Sequence, residues 1–231
     1  MDSRQGAVVI FVKTPGYSPL KTRLAQTIGQ AQAEQFHRLS AAAVAGVVQS
    51  VAQQKQIAPY WAVAEEAALT DPLWNQFATL FQGAGDLGTR LAHVNQILSE
   101  KHDFAIFLGA DAPQLPVTYL SDAVDLLTNA TEEPQFVLGP AADGGFYLFG
   151  TQKCLTPENW LNVPYSAANT AEVLLAQLEG QGIIHSLPSL TDVDTVQELQ
   201  TILREELDQE KLLPEQRRVM DWIRQQNFTG C

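Results

Sequence analysis

The stretch from residue 104 to residue 116, Phe-Ala-Ile-Phe-Leu-Gly-Ala-Asp-Ala-Pro-Gln-Leu-Pro, constrains this chain more than any other. Its first five residues are wholly apolar, a length and composition suited to a strand buried on both faces of a sheet. Gly109 and one carboxylate, Asp111, come next, and Pro113 and Pro116 then end any ladder and turn the chain away. A lone carboxylate just past the carboxyl end of a buried strand stands where open α/β sheets keep their ligand crevice. The same carboxylate also suits a turn or helix cap, and the local pattern does not separate the two readings.

The rest of the chain supplies the sheet. Residues 7–12, Ala-Val-Val-Ile-Phe-Val, read as a first buried strand, and 60–64, 77–81, 136–138, 146–149 and 183–187 as further strands. Between them lie helical periods. Phe36, Leu39, Ala43, Val47 and Val51 share a face within 31–53, and 89–99 and 170–178 are helical by pattern. Leu120, Val124 and Leu127 form another stripe, followed late in the chain by Val196, Leu199, Leu203 and Leu207 and then by Val219, Trp222 and Ile223. Strands alternating with helices predict an α/β layer fold around a largely parallel sheet. With no linker, repeat or low-complexity tract, residues 1–231 read as one domain, the helices of 195–227 packed upon it.

A net charge of −12 argues against nucleic-acid binding, which needs a basic face, but a few local cations can still hold a small anionic ligand. The chain is 45% hydrophobic and has two cysteines, Cys154 and Cys231, whose spacing suggests neither zinc nor a disulfide framework; a reducing cytoplasm is the expected setting. The apolar run 7–12 is too short for a secretion signal or a membrane span.

Four segments could carry chemistry. The loop 13–23, Lys-Thr-Pro-Gly-Tyr-Ser-Pro-Leu-Lys-Thr-Arg, holds Lys13, Lys21 and Arg23, and its prolines and glycine argue against regular structure there. Being too rich in proline for core, it predicts that removing Lys21 or Arg23 spares the fold. The glycine-rich turn 83–88 holds Asp86, the turn after the strand 104–108 holds Asp111, and Asp143 precedes Gly144 and Gly145. In a parallel sheet the loops after strands converge on one edge. Cations and carboxylates there suit a phosphate ligand with a bridging divalent metal. Plainer readings stand beside each: Asp86 as a turn former, Asp192 and Asp194 as helix N-caps, and the four histidines as structural or surface residues. Lys21-Thr22-Arg23 lacks the glycine spacing of a Walker loop, and no Ser/His/Asp or Cys/His set is visible.

Taken in order, Lys13-Thr-Pro, Lys21-Thr-Arg-Leu24, Gly85-Asp-Leu-Gly88, Gly109-Ala-Asp-Ala-Pro113, Gly139-Pro-Ala-Ala-Asp-Gly-Gly-Phe-Tyr147 and Asp192-Val-Asp194 resemble the DUF2064 family over roughly Val8 to Asp194. That family is similar to the GT-A nucleotide-diphospho-sugar transferases and, more distantly, to MobA-like and CofC-like nucleotidylyltransferases. The resemblance implies a three-layer GT-A fold with a mixed, mostly parallel sheet. It implies nucleotide or phosphate contacts from Lys13, Lys21, Arg23 and Asp86, with Mg²⁺ or Mn²⁺ at Asp111. Asp143 would be a second ligand, an acceptor contact or a base, and Gly144 and Gly145 would lie at the substrate. The implied activity is a transferase using a nucleotide-sugar and a small-molecule acceptor. Nucleotidyl transfer from an NTP to a phosphorylated acceptor is the alternative, and a non-catalytic nucleotide-binding regulatory domain a third. Two positions depart from pattern: Gly109 stands where a typical Asp-x-Asp has its first carboxylate, and Tyr165-Ser166 where related sequences often have Trp-Ser.

Overall fold

The computed structural model describes residues 6–129, 131–205, 208 and 210–226; Leu207, Cys231 and residue 227 lie outside these. Each of the seven expected strands is present: β1 (Gly6–Val12), β2 (Ile57–Val63), β3 (Ala78–Phe81), β4 (Ala105–Gly109), β5 (Gln135–Pro140), β6 (Phe146–Thr151) and β7 (Ile183–Ser186). They form one sheet in the order β3-β2-β1-β4-β6-β5-β7. Only β6 runs antiparallel to its neighbours, so the sheet is mixed and mostly parallel.

Helices cover both faces. On one side α2 (Gln30–Ala52) and α4 (Val117–Thr128) bury Val44, Val47, Val48, Leu120 and Val124 against Val8, Ile10 and Ile106. On the other, α3 (Leu87–Ser99), α5 (Pro157–Leu161) and α6 (Thr170–Gln177) bury Leu91, Val94, Trp160 and Leu174 against Val9, Phe107 and Phe149. The alternation of β1 and β4 between these clusters is the period-2 consequence of a strand buried on both faces.

A third cluster lies outside α2. There α1 (Thr22–Ile28), α7 (Val196–Arg204) and α8 (Pro214–Gln225) pack Leu24, Val196, Leu199, Val219 and Met220 against Phe36 and Ala43. This corrects the expectation of an irregular segment up to residue 23. The helix α1 starts at Thr22 because Leu24, which is fully buried, gives the turn an apolar face to bury. No helix among the described residues is long and apolar enough to cross a membrane.

The strand order fixes where a ligand can enter. From β1 the chain steps outward to β2 and β3, then returns to lay β4 on the other side of β1. Connections after β1 and β4 therefore diverge, which opens a crevice at their carboxyl ends, the switch point of an open parallel sheet.

Candidate active site

The crevice is built around the turn after β4. Ser40 of α2 donates its hydroxyl to Ala110 O at 2.5 Å, and Gln216 of α8 donates to Pro113 O and Leu115 O, both at 2.9 Å. Val193 N donates to Asp111 O at 3.0 Å, and the Gln114 side chain donates to Thr191 O at 2.7 Å. Two of these bonds hold the Asp111 turn to the segment 191–194, and the others fix the turn to α2 and α8. The loop after β1 is held as firmly: Glu65 accepts from Thr14 N and from the Ser18 hydroxyl, and Trp74 Nε1 donates to Thr14 Oγ1.

Lys21 enters this turn from the β1 loop. It takes a left-handed backbone conformation, φ 47°, which is uncommon for a non-glycine residue, and its side chain is only 4% exposed. Its ammonium lies 2.9 Å from Asp111 Oδ2 and 2.8 Å from Asp194 Oδ1, and it also donates to Val193 O. All three ammonium protons therefore have acceptors. Burial opposes the charge, but Asp111, Asp192 and Asp194 outweigh it and raise the lysine above its ordinary pKa. Burial would likewise raise Asp111; the Lys21 ammonium and the neighbouring His37 imidazole reverse that and hold its carboxyl well below the usual range.

Asp192 behaves in the opposite way. Burial and the adjacent Asp111 push it up to about 8, against the pull of Lys21, with Asp194 and Asp143 adding to the rise. Asp143 is thereby placed within electrostatic reach of the same cluster. Its turn is anchored beside it: Ala142 N donates to Leu190 O at 2.9 Å, and Gly145 N donates to Asp143 Oδ1 at 2.9 Å. Gly144 has φ +91°, and a Cβ there would stand 1.9 Å from Ala168 O, so this glycine is required by its backbone and by the 165–169 loop.

Asp111, Asp143, Lys21, Asp192 and Asp194 thus share one edge, with Arg23 at the rim, 70% exposed and 3.7 Å from Asp194. The cap reading of Asp194 is corrected: Thr195 is the N-cap of α7, Glu198 accepts from Asp194 N and Thr195 N, and the Asp194 side chain turns to the two cations. Lys13 is exposed and its ammonium reaches Pro19 O at 3.5 Å. Asp86 is the N-cap of α3, accepting from Thr89 N at 2.9 Å and Thr89 Oγ1 at 2.6 Å, so its plain role is a helix cap and not the turn former expected.

Two functional candidates escaped the sequence reading. His37 is buried on α2, its Nε2 2.9 Å from Lys13 O and its Nδ1 3.9 Å from Asp111 Oδ1. Asp192 had a usable signal: in an extended Asp-Val-Asp the two carboxylates fall on one side while Val193, fully buried, falls on the other.

Among the described residues no three His, Cys, Asp or Glu side chains converge on a metal position, so no protein-only cage is built. Asp111 Oδ1, however, is buried without a hydrogen-bond partner, and Asp192, which precedes the Val193 whose N–H meets Asp111 O, is a second carboxylate within electrostatic reach. Two carboxylates fit a magnesium- or manganese-type ion whose other ligands are phosphate oxygens and water.

Several solved structures share this fold. A structure provisionally named a nucleotide-diphospho-sugar transferase, from Desulfovibrio desulfuricans G20, matches with a TM-score of 0.79 at 24% identity, over 97% of this chain and 99% of that one. A nucleotidyl transferase from Methanothermobacter thermautotroptrophicus matches with a TM-score of 0.57 at 9% identity, over 87% and 96%. The CMP:2-keto-3-deoxy-manno-octonic acid synthetase complexed with CTP matches with a TM-score of 0.52 at 12% identity, over 86% and 96%. No curated protein matches the chain. The family model described as "Uncharacterized protein conserved in bacteria (DUF2064)" matches residues 44–167, more than half of the sequence and including the turns of Asp86, Asp111 and Asp143, and the chain belongs to that family.

Proposed function

We propose that this protein is a metal-assisted transferase that binds a nucleotide-activated donor over the carboxyl ends of β1 and β4. The observation that carries the reading is the meeting of Lys21, Arg23, Asp111, Asp192 and Asp194 at the sheet's switch point. Asp111 and Asp192 would hold the ion, which supplies charge neutralisation for the departing phosphate group. Arg23, exposed at the rim, can meet a phosphate directly, and Lys13 stands in the same loop. Lys21 serves first as the fixed counter-charge that keeps Asp111 ionised and oriented.

The first form of the reaction is glycosyl transfer. An acceptor hydroxyl oxygen attacks the anomeric carbon of a nucleotide-sugar, the bond from that carbon to the diphosphate oxygen breaks, and the nucleoside diphosphate leaves with the electron pair. Asp143, exposed beside the cluster, takes the acceptor's proton. The second form is nucleotidyl transfer: a phosphate oxygen of the acceptor attacks the α-phosphorus of an NTP and pyrophosphate leaves. It is favoured by the glycine at 109 in place of a second Asp-x-Asp carboxylate, and by a fold neighbour named as a nucleotidyl transferase.

Thermal shift against NTPs and nucleotide-sugars, with Mg²⁺ or with chelator, tests the reading, since a ligand specific to the native state raises the melting temperature. Release of nucleoside diphosphate then supports the first form and pyrophosphate the second. Binding without turnover returns the protein to the regulatory reading, and no binding to any member of the panel overturns all three.

A further inference from the structure

Glycine occupies a strand only at a cost in chain entropy and lost packing, so each one invites the question of what requires it. The described glycines answer in two ways. Gly16, Gly29, Gly83, Gly85, Gly144, Gly180 and Gly182 have positive φ. Gly6, Gly46, Gly88, Gly139, Gly145 and Gly150 have neighbours that a Cβ would approach within 3.1 Å. Gly109 alone has neither a positive φ nor, its two chain neighbours apart, any described atom within 4 Å of the position its Cβ would take.

Its place in the fold makes that emptiness informative. Gly109 is the last residue of β4 and the exposed one, after four buried residues. It is in register with Phe11 of β1, so it lies on the seam between the two strands whose connections diverge. Strand alternation puts its vacant side with Ala105 and Phe107, on the face of the sheet covered by α3, α5 and α6. Phe11, Phe146 and Tyr165 rim the core on that face and are partly exposed, and Leu87 at the start of α3 is 43% exposed. Asp111 is two residues further on.

We infer that Gly109 is a ligand-binding residue: it is kept free of a side chain so that a ring of the bound nucleotide ligand, base or sugar, can lie against the end of β4 while the phosphates reach Arg23. The inference rests on the proposed nucleotide site. It adds that the space over Gly109 belongs to the ligand, since the described chain makes no use of it.

Gly109→Ala and Gly109→Val test this, each examined by thermal melting without ligand and by calorimetric titration with ATP, CTP, GTP, UTP and UDP-glucose in Mg²⁺. The melting temperature of Gly109→Ala should equal or exceed that of wild type. Affinity should fall severalfold in Gly109→Ala and about tenfold or more in Gly109→Val for every probe that binds wild type. Wild-type affinity in Gly109→Val overturns the inference and leaves the nucleotide site standing. A lower melting temperature in Gly109→Ala overturns it too, by showing that the chain itself needs the glycine. If wild type binds none of the probes, the site reading falls and takes the inference with it.

Discussion

The Lys21 ammonium lies 2.9 Å from Asp111 Oδ2, joining the loop after β1 to the turn after β4 across the sheet's switch point. The pair is a structural tie as well as part of the site. The sequence-based expectation that Lys21 can be removed without harm to the fold is therefore revised. Lys21→Met should lower stability by about 2–4 kcal/mol, because it leaves Asp111 and Asp194 facing one another without their shared cation. Urea unfolding measures this, and a change below about 1 kcal/mol would show that the tie contributes little.

Arg23 offers the contrasting case. It is 70% exposed and 3.7 Å from Asp194, a pair of the kind worth at most about 1 kcal/mol in water. Arg23→Ala should leave the urea midpoint nearly unchanged while weakening nucleotide binding by about 1.5–3 kcal/mol, the loss of one charge-assisted phosphate contact. Titration calorimetry with a nucleotide that binds wild type would reject the phosphate role if affinity is retained.

Asp111→Asn separates metal ligand from turn former. Asn serves turns about as well as Asp, so a turn role alone predicts no loss of binding. As a metal ligand, Asp111→Asn should abolish the chelator-sensitive part of nucleotide affinity. Because the carboxylate pairs with Lys21, removing its charge should cost stability at neutral pH, with the difference closing as wild-type Asp111 itself protonates in strong acid. Wild-type chelator sensitivity in the variant would move the metal site elsewhere.

Asp192 sets a pH dependence of opposite sign. Its carboxyl, pushed up to about 8 by burial and then by Asp111, stays protonated in the native state where the unfolded chain is already ionised. The stability associated with that proton is fully present below the unfolded value of about 3.8 and is lost as pH rises through 8. Asp192→Asn mimics the protonated form. Its melting temperature should match wild type near pH 4 and exceed it by a margin that grows toward pH 9, measured without metal. A constant offset across this range would mean that Asp192 is not the group that titrates.

Gly144 and Gly145 should respond differently despite their adjacency. Gly144→Ala forces a Cβ onto Ala168 O in a backbone of φ +91°, and should cost more than about 2 kcal/mol while loosening the 165–169 loop. Gly145→Ala meets only Asp143 Oδ1 at 3.1 Å, the end of an exposed side chain, and should cost less than about 1 kcal/mol. Equal losses in thermal melts would contradict the assignment.

The sheet was legible because burial on both faces leaves unbroken apolar runs such as 7–12 and 104–108, a signal local in sequence. Asp111 was legible for the same reason, as the first carboxylate after such a run. The start of α1 inside a proline-bearing loop was not, since Leu24 is buried in a cluster that needs α2 and also α7, which comes some 170 residues later. The same distance hid the chemistry of the site. A buried lysine is tolerable only when carboxylates meet it, and Lys21 meets Asp194 from 173 positions away. Asp194 looked like a cap because capping is what a local pattern can show. His37 looked structural because nothing in its helix reveals that Asp111 lies across from it. By itself the sequence determined which residues could form strands and which carboxylates would follow them. The tertiary structure alone decided which charges face one another, because charge pairing depends on through-space distances of a few ångströms that chain separation does not encode.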